Sequence, residues 1–353
     1  MKTITKIFLV ICTVLFMTTV THAKNYQWQL VQSWDKESLY SEMVNRFVQT
    51  TKQLSKGQLT INIISSKKGE KPLNVFDLVQ QGQYQIGHSD SSYWREKDSN
   101  TTFFSSIPFG MTTPEMYAWF YHGGGIELMT KVYDQYGLLS FPGGNTGHQM
   151  GGWFRREIKC LAGLRGIAMH MNSAAADVMK SIGVNVVNIP VQDQYISLAS
   201  GSLAAVSSVN PAVDVDLGFH NIAPFYYTGW NAPSSEMQFL INADEFSKLP
   251  ENLQQIVKLS MRLSAYDMYT KFNHQNGVKL AEIRKDFPNV KFRSLPPEII
   301  KALNLSSRSY TQSQAEKGND LTREIVSSID AYKRLIRPWT RYSNQAYLNN
   351  SGI

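Results

Sequence analysis

Residues 142–158 of this 353-residue chain read PGGNTGHQMGGWFRREI, a run in which glycines separate polar side chains. Glycine lets the backbone turn in ways that other residues resist. The amides of Asn145 and Gln149 each offer donors and an acceptor. We therefore predict a turn in which Asn145 and Gln149 face a ligand or an ion. The alternatives are turn capping for Asn145 and a surface position for Gln149. Trp153 and Phe154 are predicted to be packing residues.

The sequence before this turn has the pattern of a βαβ unit. Residues 26–32 alternate apolar and polar side chains, helical spacing then runs from Leu39 to a stop near Gly57, and residues 59–63 alternate again. Residues 73–87 repeat the helix and the strand. These periodicities predict an α/β fold with a parallel sheet.

The sequence after the turn repeats this organisation. A helix is predicted over residues 174–182, with Asn172 or Ser173 as its N-cap, and a strand over residues 184–189. This second α/β segment ends near residues 232–235. The turn at 142–158 therefore joins two lobes.

The last third of the chain is predicted to be mostly helical. Residues 251–286 contain no proline and keep helical spacing, which predicts one very long helix or two abutting ones. Pro288 ends it, because proline lacks the backbone donor and its ring clashes with the preceding turn. A further helical stretch covers residues 301–337, and Pro338 is predicted to stop it.

The N-terminus has the features of a cleaved signal peptide, residues 1–23. Lys2 and Lys6 precede an apolar run over residues 7–20, and the small residue Ala23 stands at the expected cleavage point, which predicts export to the periplasm. Cys160 is then the single cysteine of the mature chain, so no internal disulfide is expected. The formal charge of +7 is spread along the chain, which argues against nucleic-acid binding.

Sequence motifs of common enzyme classes do not occur in the chain. It has no G-x-S-x-G nucleophile elbow, no HExxH, no phosphate-binding GxxxxGK[ST] and no cysteine pair for zinc. We therefore expect a protein that is not an enzyme and has no cofactor.

Residues 142–158 and several shorter motifs, in the same order along the chain, resemble the solute-binding proteins of TRAP (tripartite ATP-independent periplasmic) transporters. The similarity is greatest to the branch that binds 2-oxo acids and related monocarboxylates. The shorter motifs are Val75-Phe76-Asp77, Gly87-His88-Ser89, Tyr93-Trp94, Pro108-Phe109-Gly110, Gly229-Trp230 and Leu240-Ile241-Asn242. Their order and spacing carry the resemblance, since each motif alone is too short.

The resemblance implies a two-lobed periplasmic binding protein fold, with a ligand cleft between the lobes and a long helix spanning both. The first lobe is expected to comprise residues 24–147 and 236–285. The second is expected to comprise residues 148–235 and 286–337. Residues 338–353 resemble a dimer-forming tail, so a homodimer is expected.

The resemblance also implies a ligand site, with departures from the pattern of the branch. Gln149 matches a residue that helps to hold a metal and the substrate. His170 stands where the branch has an arginine that clamps the substrate carboxylate. Histidine cannot form that two-pronged contact, but it could still bind an anion when protonated. A position without ligand contact is the alternative for His170.

Further departures weaken the expected metal site. Ser207 and Ser208 replace a Glu-Trp pair, and Ala232 replaces an acidic residue. Hard cations usually need a carboxylate ligand, so a bridging sodium or calcium ion is not expected. If an ion site persists, Gln149 would be its remaining ligand. Asn210 and the aromatic pair Tyr93-Trp94 complete the predicted contacts.

We therefore predict a periplasmic solute-binding protein that captures a small organic acid by closure of its cleft and delivers it to a TRAP membrane permease. Two alternatives remain open. One is the same fold binding a neutral or different solute without a metal. The other is an exported sensor or partner protein with no transport role.

Overall fold

The computed structural model describes residues 24–66, 74–207 and 209–351. The predicted signal peptide and the candidate residue Ser208 lie outside the described residues. Within the described part, no helix combines the length and the apolar character that a membrane crossing needs.

The βαβ unit predicted at the start of the chain is present. Strand β1 (Tyr26–Asp35), helix α1 (Leu39–Leu54) and strand β2 (Leu59–Ser66) follow one another, and β1 pairs with β2 in parallel. The side chain of Ser38 caps α1 by accepting a hydrogen bond from the backbone N–H of Ser41. The apolar face of α1 is buried against the sheet, as the helical spacing predicts.

The first lobe is completed by three strands, four short α-helices and two 3₁₀ helices. They are α2 (Val75–Gln80), β3 (Ile86–Asp90), α3 (Thr113–His122), α4 (Gly125–Asp134), β4 (Leu138–Asn145), β10 (Glu236–Asn242), α8 (Ala243–Ser247) and the 3₁₀ helices Ser91–Trp94 and Ser99–Phe104. The sheet order is β2-β1-β3-β10-β4. Strand β10 returns from the second lobe and runs antiparallel to both neighbours, so only β1, β2 and β3 form the predicted parallel sheet.

The second lobe holds a six-stranded mixed sheet in the order β11-β9-β5-β8-β6-β7. Its elements are β5 (Gly152–Phe154), β6 (Ala168–His170), α5 (Ser173–Ser181), β7 (Asn185–Val187), α6 (Val191–Ser200), β8 (Ala205–Val206), α7 (Pro211–Leu217), β9 (Phe225–Tyr227) and β11 (Lys291–Arg293). The predicted helix and strand after residue 172 correspond to α5 and β7. Asn172 takes the N-cap position, although its side chain makes no capping hydrogen bond.

The long helix is a single one, α9 (Glu251–Asp286), with 36 residues. It ends just before Pro288, as predicted. Met268 and Phe272 of α9 pack in one cluster with Met43 from the first lobe and Ala212 from the second. The helix therefore contacts both lobes beside the point where the chain crosses between them.

The predicted helical stretch 301–337 is two helices, α10 (Pro297–Lys317) and α11 (Asp320–Thr340), separated at Gly318. Helix α10 packs in the core of the second lobe, but α11 packs in the core of the first. The assignment of all of residues 286–337 to the second lobe was therefore wrong. Its cause is the apolar face of α11, which buries Ile325 against α3 and α4.

Pro338 does not end α11, so the predicted stop there was wrong. The proline lies inside the helix, which continues to Thr340 and then into a π-helical segment (Arg341–Gln345) and helix α12 (Ala346–Asn350). The turn around the proline is held from outside. Glu115 of the first lobe pairs with Arg337 and accepts a hydrogen bond from the Thr340 hydroxyl.

Candidate functional site

Two segments of backbone cross between the lobes side by side, residues 146–151 and 228–235. The backbone N–H of Gln149 donates to the carbonyl of Ala232 over 2.9 Å. The two segments approach so closely that a Cβ atom at Gly229 would lie 1.8 Å from the carbonyl oxygen of Gln149. Only glycine fits there, and its presence brings the side chains of both segments into one place.

Asn145, at the end of β4, is fully buried and organises this crossing. Its Oδ1 accepts hydrogen bonds from the Thr113 hydroxyl at 2.8 Å and from the backbone N–H of Gly147 at 2.9 Å. Its Nδ2 donates to Glu236 Oε2 at 2.8 Å. The side-chain oxygen and nitrogen thus both have protein partners, which matches the turn-capping alternative. Contact of Asn145 with a ligand remains a prediction.

Glu236 begins β10 and is the buried carboxyl group of the crossing. Besides Asn145, the backbone N–H of Gly144 donates to its Oε1 at 3.2 Å. Burial raises the pKa of the Glu236 carboxyl to about 8, and the hydrogen bonds from Asn145 and Gly144 oppose only part of that rise. Glu236 is therefore mostly protonated near neutral pH. No motif or periodicity in the sequence marks this residue.

Four buried polar atoms, on the two crossing segments and on Asn210, have no hydrogen-bond partner within the described part of the chain. They are Thr146 Oγ1, Asn210 Oδ1, Asn231 Oδ1 and Trp230 Nε1. The other ends of both asparagine amides are engaged, since Asn210 Nδ2 donates to the Thr146 carbonyl at 2.9 Å and Asn231 Nδ2 donates to Gln149 Oε1 at 3.3 Å. Sequence analysis predicted Gln149 and Asn210 here and missed Asn231.

His170 ends β6 and is 5% exposed. Its Nδ1 faces the backbone of residues 187–189, and the side-chain amide of Gln194 lies 3.0 Å from its Nε2. Either neutral tautomer therefore finds partners for both ring nitrogens inside the second lobe. Burial lowers the pKa of the imidazole, so this histidine stays neutral at neutral pH. This geometry does not place a free donor of His170 at the crossing.

Of the two predicted serines, Ser207 lies beside His170 in the second-lobe sheet. The backbone N–H of Ser207 donates to the backbone carbonyl of His170 over 2.8 Å, so these two residues lie side by side at the ends of β8 and β6. The Ser207 side chain is partly exposed. Ser208 lies outside the described residues.

Three aromatic side chains of the first lobe lie close together, and two of them, Trp34 and Tyr40, pack beside residues of the second lobe. Trp34 stacks on Tyr40 with ring centroids 4.4 Å apart, and Tyr93 lies 6.4 Å from Trp34 and is half exposed. Burial, with smaller contributions from Tyr93, Asp90 and the second-lobe Asp214, raises the pKa of Tyr40. Trp34 and Tyr40 also pack against a cluster that includes Ala212 of the second lobe. Sequence analysis named Tyr93 but missed Trp34 and Tyr40.

Trp94, the other predicted aromatic contact, lies in the core of the first lobe. It is 4% exposed and packs in the core of the first lobe, 5.6 Å from the ring of Phe76 and 6.1 Å from that of Tyr133. It supports the 3₁₀ helix that carries Tyr93. A ligand contact by Trp94 has no support from this packing.

The side chains around the crossing do not fit a calcium or sodium bridge that needs carboxylate ligands. No group of three or more His, Cys, Asp or Glu residues with metal-binding geometry occurs among the described residues. The nearby carboxyl groups already accept hydrogen bonds on both oxygens. Asp214 accepts from Val209 N–H, Trp153 Nε1 and the Tyr226 hydroxyl, and Glu236 accepts from Gly144 and Asn145.

Comparison with solved structures gives the same fold along almost the whole chain. A TRAP periplasmic solute-binding protein from Colwellia psychrerythraea, solved with bound calcium and pyruvate, is 44% identical with a TM-score of 0.89, covering 93% of this chain and 100% of the other. A protein of the same kind from Pseudoalteromonas atlantica T6c, with bound sodium and pyruvate, is 44% identical with a TM-score of 0.88, covering 93% and 99%.

Sequence comparison agrees. A monocarboxylate 2-oxoacid-binding periplasmic protein from Nostoc is 29% identical over 326 residues, which is 92% of this chain and 89% of the relative. The sequence profile of DctP, the bacterial extracellular solute-binding protein family 7, matches residues 30–318. The two-lobed fold, the crossing and these matches confirm the resemblance found in the sequence, and the chain belongs to the bacterial extracellular solute-binding protein family 7.

Proposed function

We propose that this chain is the periplasmic receptor of a TRAP transporter, that it captures a small organic acid related to pyruvate, and that it passes this acid to a membrane permease. The main support is the match of the whole two-lobed fold to two 44% identical proteins that hold pyruvate. The monocarboxylate 2-oxoacid-binding relative supports the same class of solute. The family membership supports transport over the alternative role as an exported sensor.

The cleft at the crossing is the proposed site of capture. It has an aromatic wall from the first lobe, polar side chains on the crossing segments and polar side chains from the second lobe. A solute that touches all three stabilises the closed arrangement of the lobes, because it interacts with both lobes only when they are together. Gln149 and Asn210 lead the proposed contacts, joined by Asn231, Trp230 and Tyr93. Ser207 is retained as a contact from the rim of the second lobe.

We further propose that the mature protein forms a homodimer through its C-terminal segment. Trp339, Tyr342, Tyr347 and Leu348 are each more than 60% exposed at the end of the last helices, with values of 67%, 84%, 73% and 66%. Solvation of that many large apolar groups in one segment is unfavourable, and burial against a second copy would remove them from water. We also propose that the chain is exported to the periplasm through the predicted signal peptide.

Titration calorimetry and thermal unfolding of the purified protein with pyruvate test the acid-binding function. At a hundred times its dissociation constant, a native-state ligand raises the free energy of unfolding by about 2.7 kcal/mol. Gln149→Leu is expected to weaken binding roughly ten-fold, which is about 1.4 kcal/mol. Gln83→Leu, at an exposed position of the first lobe, is the matched control. Absence of binding for pyruvate and every small organic acid tried would refute the proposal.

A further inference from the structure

The loop of residues 107–111 is attached to both lobes. It leaves the first lobe after Ile107, which packs against the core of that lobe, and returns to the same core at Met111. Between them, the Pro108 carbonyl accepts a hydrogen bond at 2.7 Å from the hydroxyl of Ser307, which is buried on helix α10 of the second lobe. The loop therefore bridges the two lobes outside the two crossing segments.

Phe109, at the centre of this loop, contacts the crossing directly. Its backbone N–H donates to the Trp230 carbonyl over 3.3 Å, and the centroids of the two rings lie 6.2 Å apart. The Phe109 ring also packs against the second-lobe core that includes Trp230. Trp230 is 5% exposed and follows Gly229, where the two crossing segments approach each other most closely. A displacement of Phe109 therefore reaches the crossing beside Gln149.

The backbone of Phe109 is strained. Its φ of 56° lies in the left-handed region, which a residue with a Cβ atom adopts only at a cost in free energy. The turn is also tight, because a Cβ atom at Gly110 would lie 2.6 Å from the Ile107 carbonyl oxygen. An aromatic residue keeps such a conformation only where its surroundings hold it. The contacts that hold Phe109 therefore determine the geometry of the loop.

The last turns of helix α11 hold the loop by its carbonyl groups. Lys333 Nζ donates to the Phe109 carbonyl at 3.3 Å. Arg337 Nη2 donates to the Gly110 carbonyl at 2.7 Å. Arg337 is itself fixed by the buried Glu115 carboxylate, 2.9 Å from its Nε. Hydrogen bonds from charged donors are stronger than neutral ones, so helix α11 supplies two strong contacts to the strained residue and its neighbour.

We propose that Phe109 is a positioning residue for the solute site, and that helix α11 sets the geometry of the crossing through it. Without the two cationic donors, Phe109 relaxes to a negative φ and its N–H leaves the Trp230 carbonyl. The arrangement of the crossing that binds solute is then populated less, and the measured affinity falls by the same fraction. The effect on affinity rests on the proposed function, but the effect on the crossing does not depend on it.

Hydrogen exchange of the solute-free full chain, read by mass spectrometry over residues 144–151, tests the effect on the crossing. The backbone N–H groups of Thr146 and Gln149 donate to carbonyls of the other crossing segment. Arg337→Gln should speed the exchange of these amides roughly five-fold, which corresponds to the strain of one left-handed residue. Unchanged exchange in this variant would overturn the inference.

Two further variants separate this effect from a general loosening of helix α11. Lys131→Gln removes the ion pair with Glu324, another contact between α11 and the first lobe, and should leave the exchange unchanged. Lys333→Met removes the donor to Phe109 and leaves the contacts of Arg337 in place, so it should speed the exchange even if Arg337→Gln does not fold. Equal effects of Lys131→Gln and Lys333→Met would overturn the inference.

Glycine at position 109 tests whether the effect passes through the strained residue, because glycine adopts the left-handed conformation without strain. By titration calorimetry, Arg337→Gln should weaken pyruvate binding roughly five-fold in the wild-type background and less than about two-fold in a Phe109→Gly background. An equal loss in both backgrounds would overturn the positioning role. If the wild type binds no pyruvate, the proposed function loses its main support, and the exchange rates of the same four proteins still decide the inference.

Discussion

The buried carboxyl group of Glu236 makes the stability of this protein depend on pH in a direction opposite to that of an ordinary carboxylate. Its pKa is about 8 in the folded chain against an ordinary value of 4.5. The unfolded chain therefore loses this proton near pH 4.5, while the folded chain keeps it. Between these values the folded state binds more protons, so the free energy of unfolding falls as pH rises. The slope is about 1.4 kcal/mol per pH unit.

Glu236→Gln removes the ionisation and keeps the shape of the side chain. The buried histidines, such as His88 with a pKa of about 4, act with the opposite sign, but they contribute equally to the wild type and to Glu236→Gln. Between pH 6.5 and 7.5, the wild type should therefore lose about 1.4 kcal/mol relative to Glu236→Gln.

Urea unfolding followed by tryptophan fluorescence at several pH values measures this difference. Glu236→Gln also changes one hydrogen-bonding atom beside Asn145, so a constant offset between the two curves is expected. The slope, and not the offset, carries the information. Parallel curves for wild type and variant across this range would show that Glu236 is ionised in the folded protein and would refute the reasoning.

Three further predictions concern other parts of the molecule. Both ring nitrogens of His170 are engaged, and burial lowers its pKa. Solute affinity measured by calorimetry should therefore vary less than about two-fold between pH 6.5 and 8. A ten-fold loss of affinity over that range would reinstate His170 as an anion contact. Truncation after Arg341 keeps the first-lobe contacts of α11 and removes three of the four exposed tail residues, Tyr342, Tyr347 and Leu348, so light scattering should report a monomer where the full chain is a dimer. An unchanged mass, or a full-length monomer, would contradict the tail as the dimer contact. The ion pair between Arg95 and Asp177 joins the two lobes at 2.9 Å and is partly exposed. A double-mutant cycle of Arg95→Ala and Asp177→Ala on solute affinity should therefore give a coupling of about 0.5 kcal/mol that disappears in high salt. A coupling that high salt leaves unchanged would exclude a screened surface pair.

Local patterns were enough to predict most elements of the fold. The alternation at residues 26–32 and 59–63 and the proline-free run 251–286 correspond to β1, β2 and a single long helix. The division at Gly318 was missed although its signal was present, because Asn319 follows the glycine and caps α11 through the N–H of Thr322. The course of the chain through Pro338 depends on Glu115, more than two hundred residues away, and local rules cannot contain it.

The candidate site was less accessible from sequence, because its members are distant along the chain. Gln149 and Asn210 were named through a family resemblance, and the structure brings them beside Asn231. Trp34 and Tyr40 lie in a strand and a helix where aromatic residues ordinarily serve packing, and only the arrangement of the two lobes places them beside Ala212. Nothing in the local sequence marks Glu236 as a buried carboxyl group.

The departures at His170, Ser207 and Ala232 have one electrostatic explanation. A buried arginine and a buried cation are stable only with negative partners, and removing one member of such a set leaves a charge that costs several kcal/mol. In this chain, uncharged residues stand at the positions where the similar branch has the arginine and the acidic ligands. Burial favours the neutral form of two ionisable groups of the crossing, Glu236 and His148, and the nearby carboxyl group of Asp214 accepts hydrogen bonds from Trp153 and Tyr226. The charged groups of the similar branch are thus replaced together, so a solute at the crossing would have to be held by polar side chains such as Gln149 and Asn231 rather than by an ion pair.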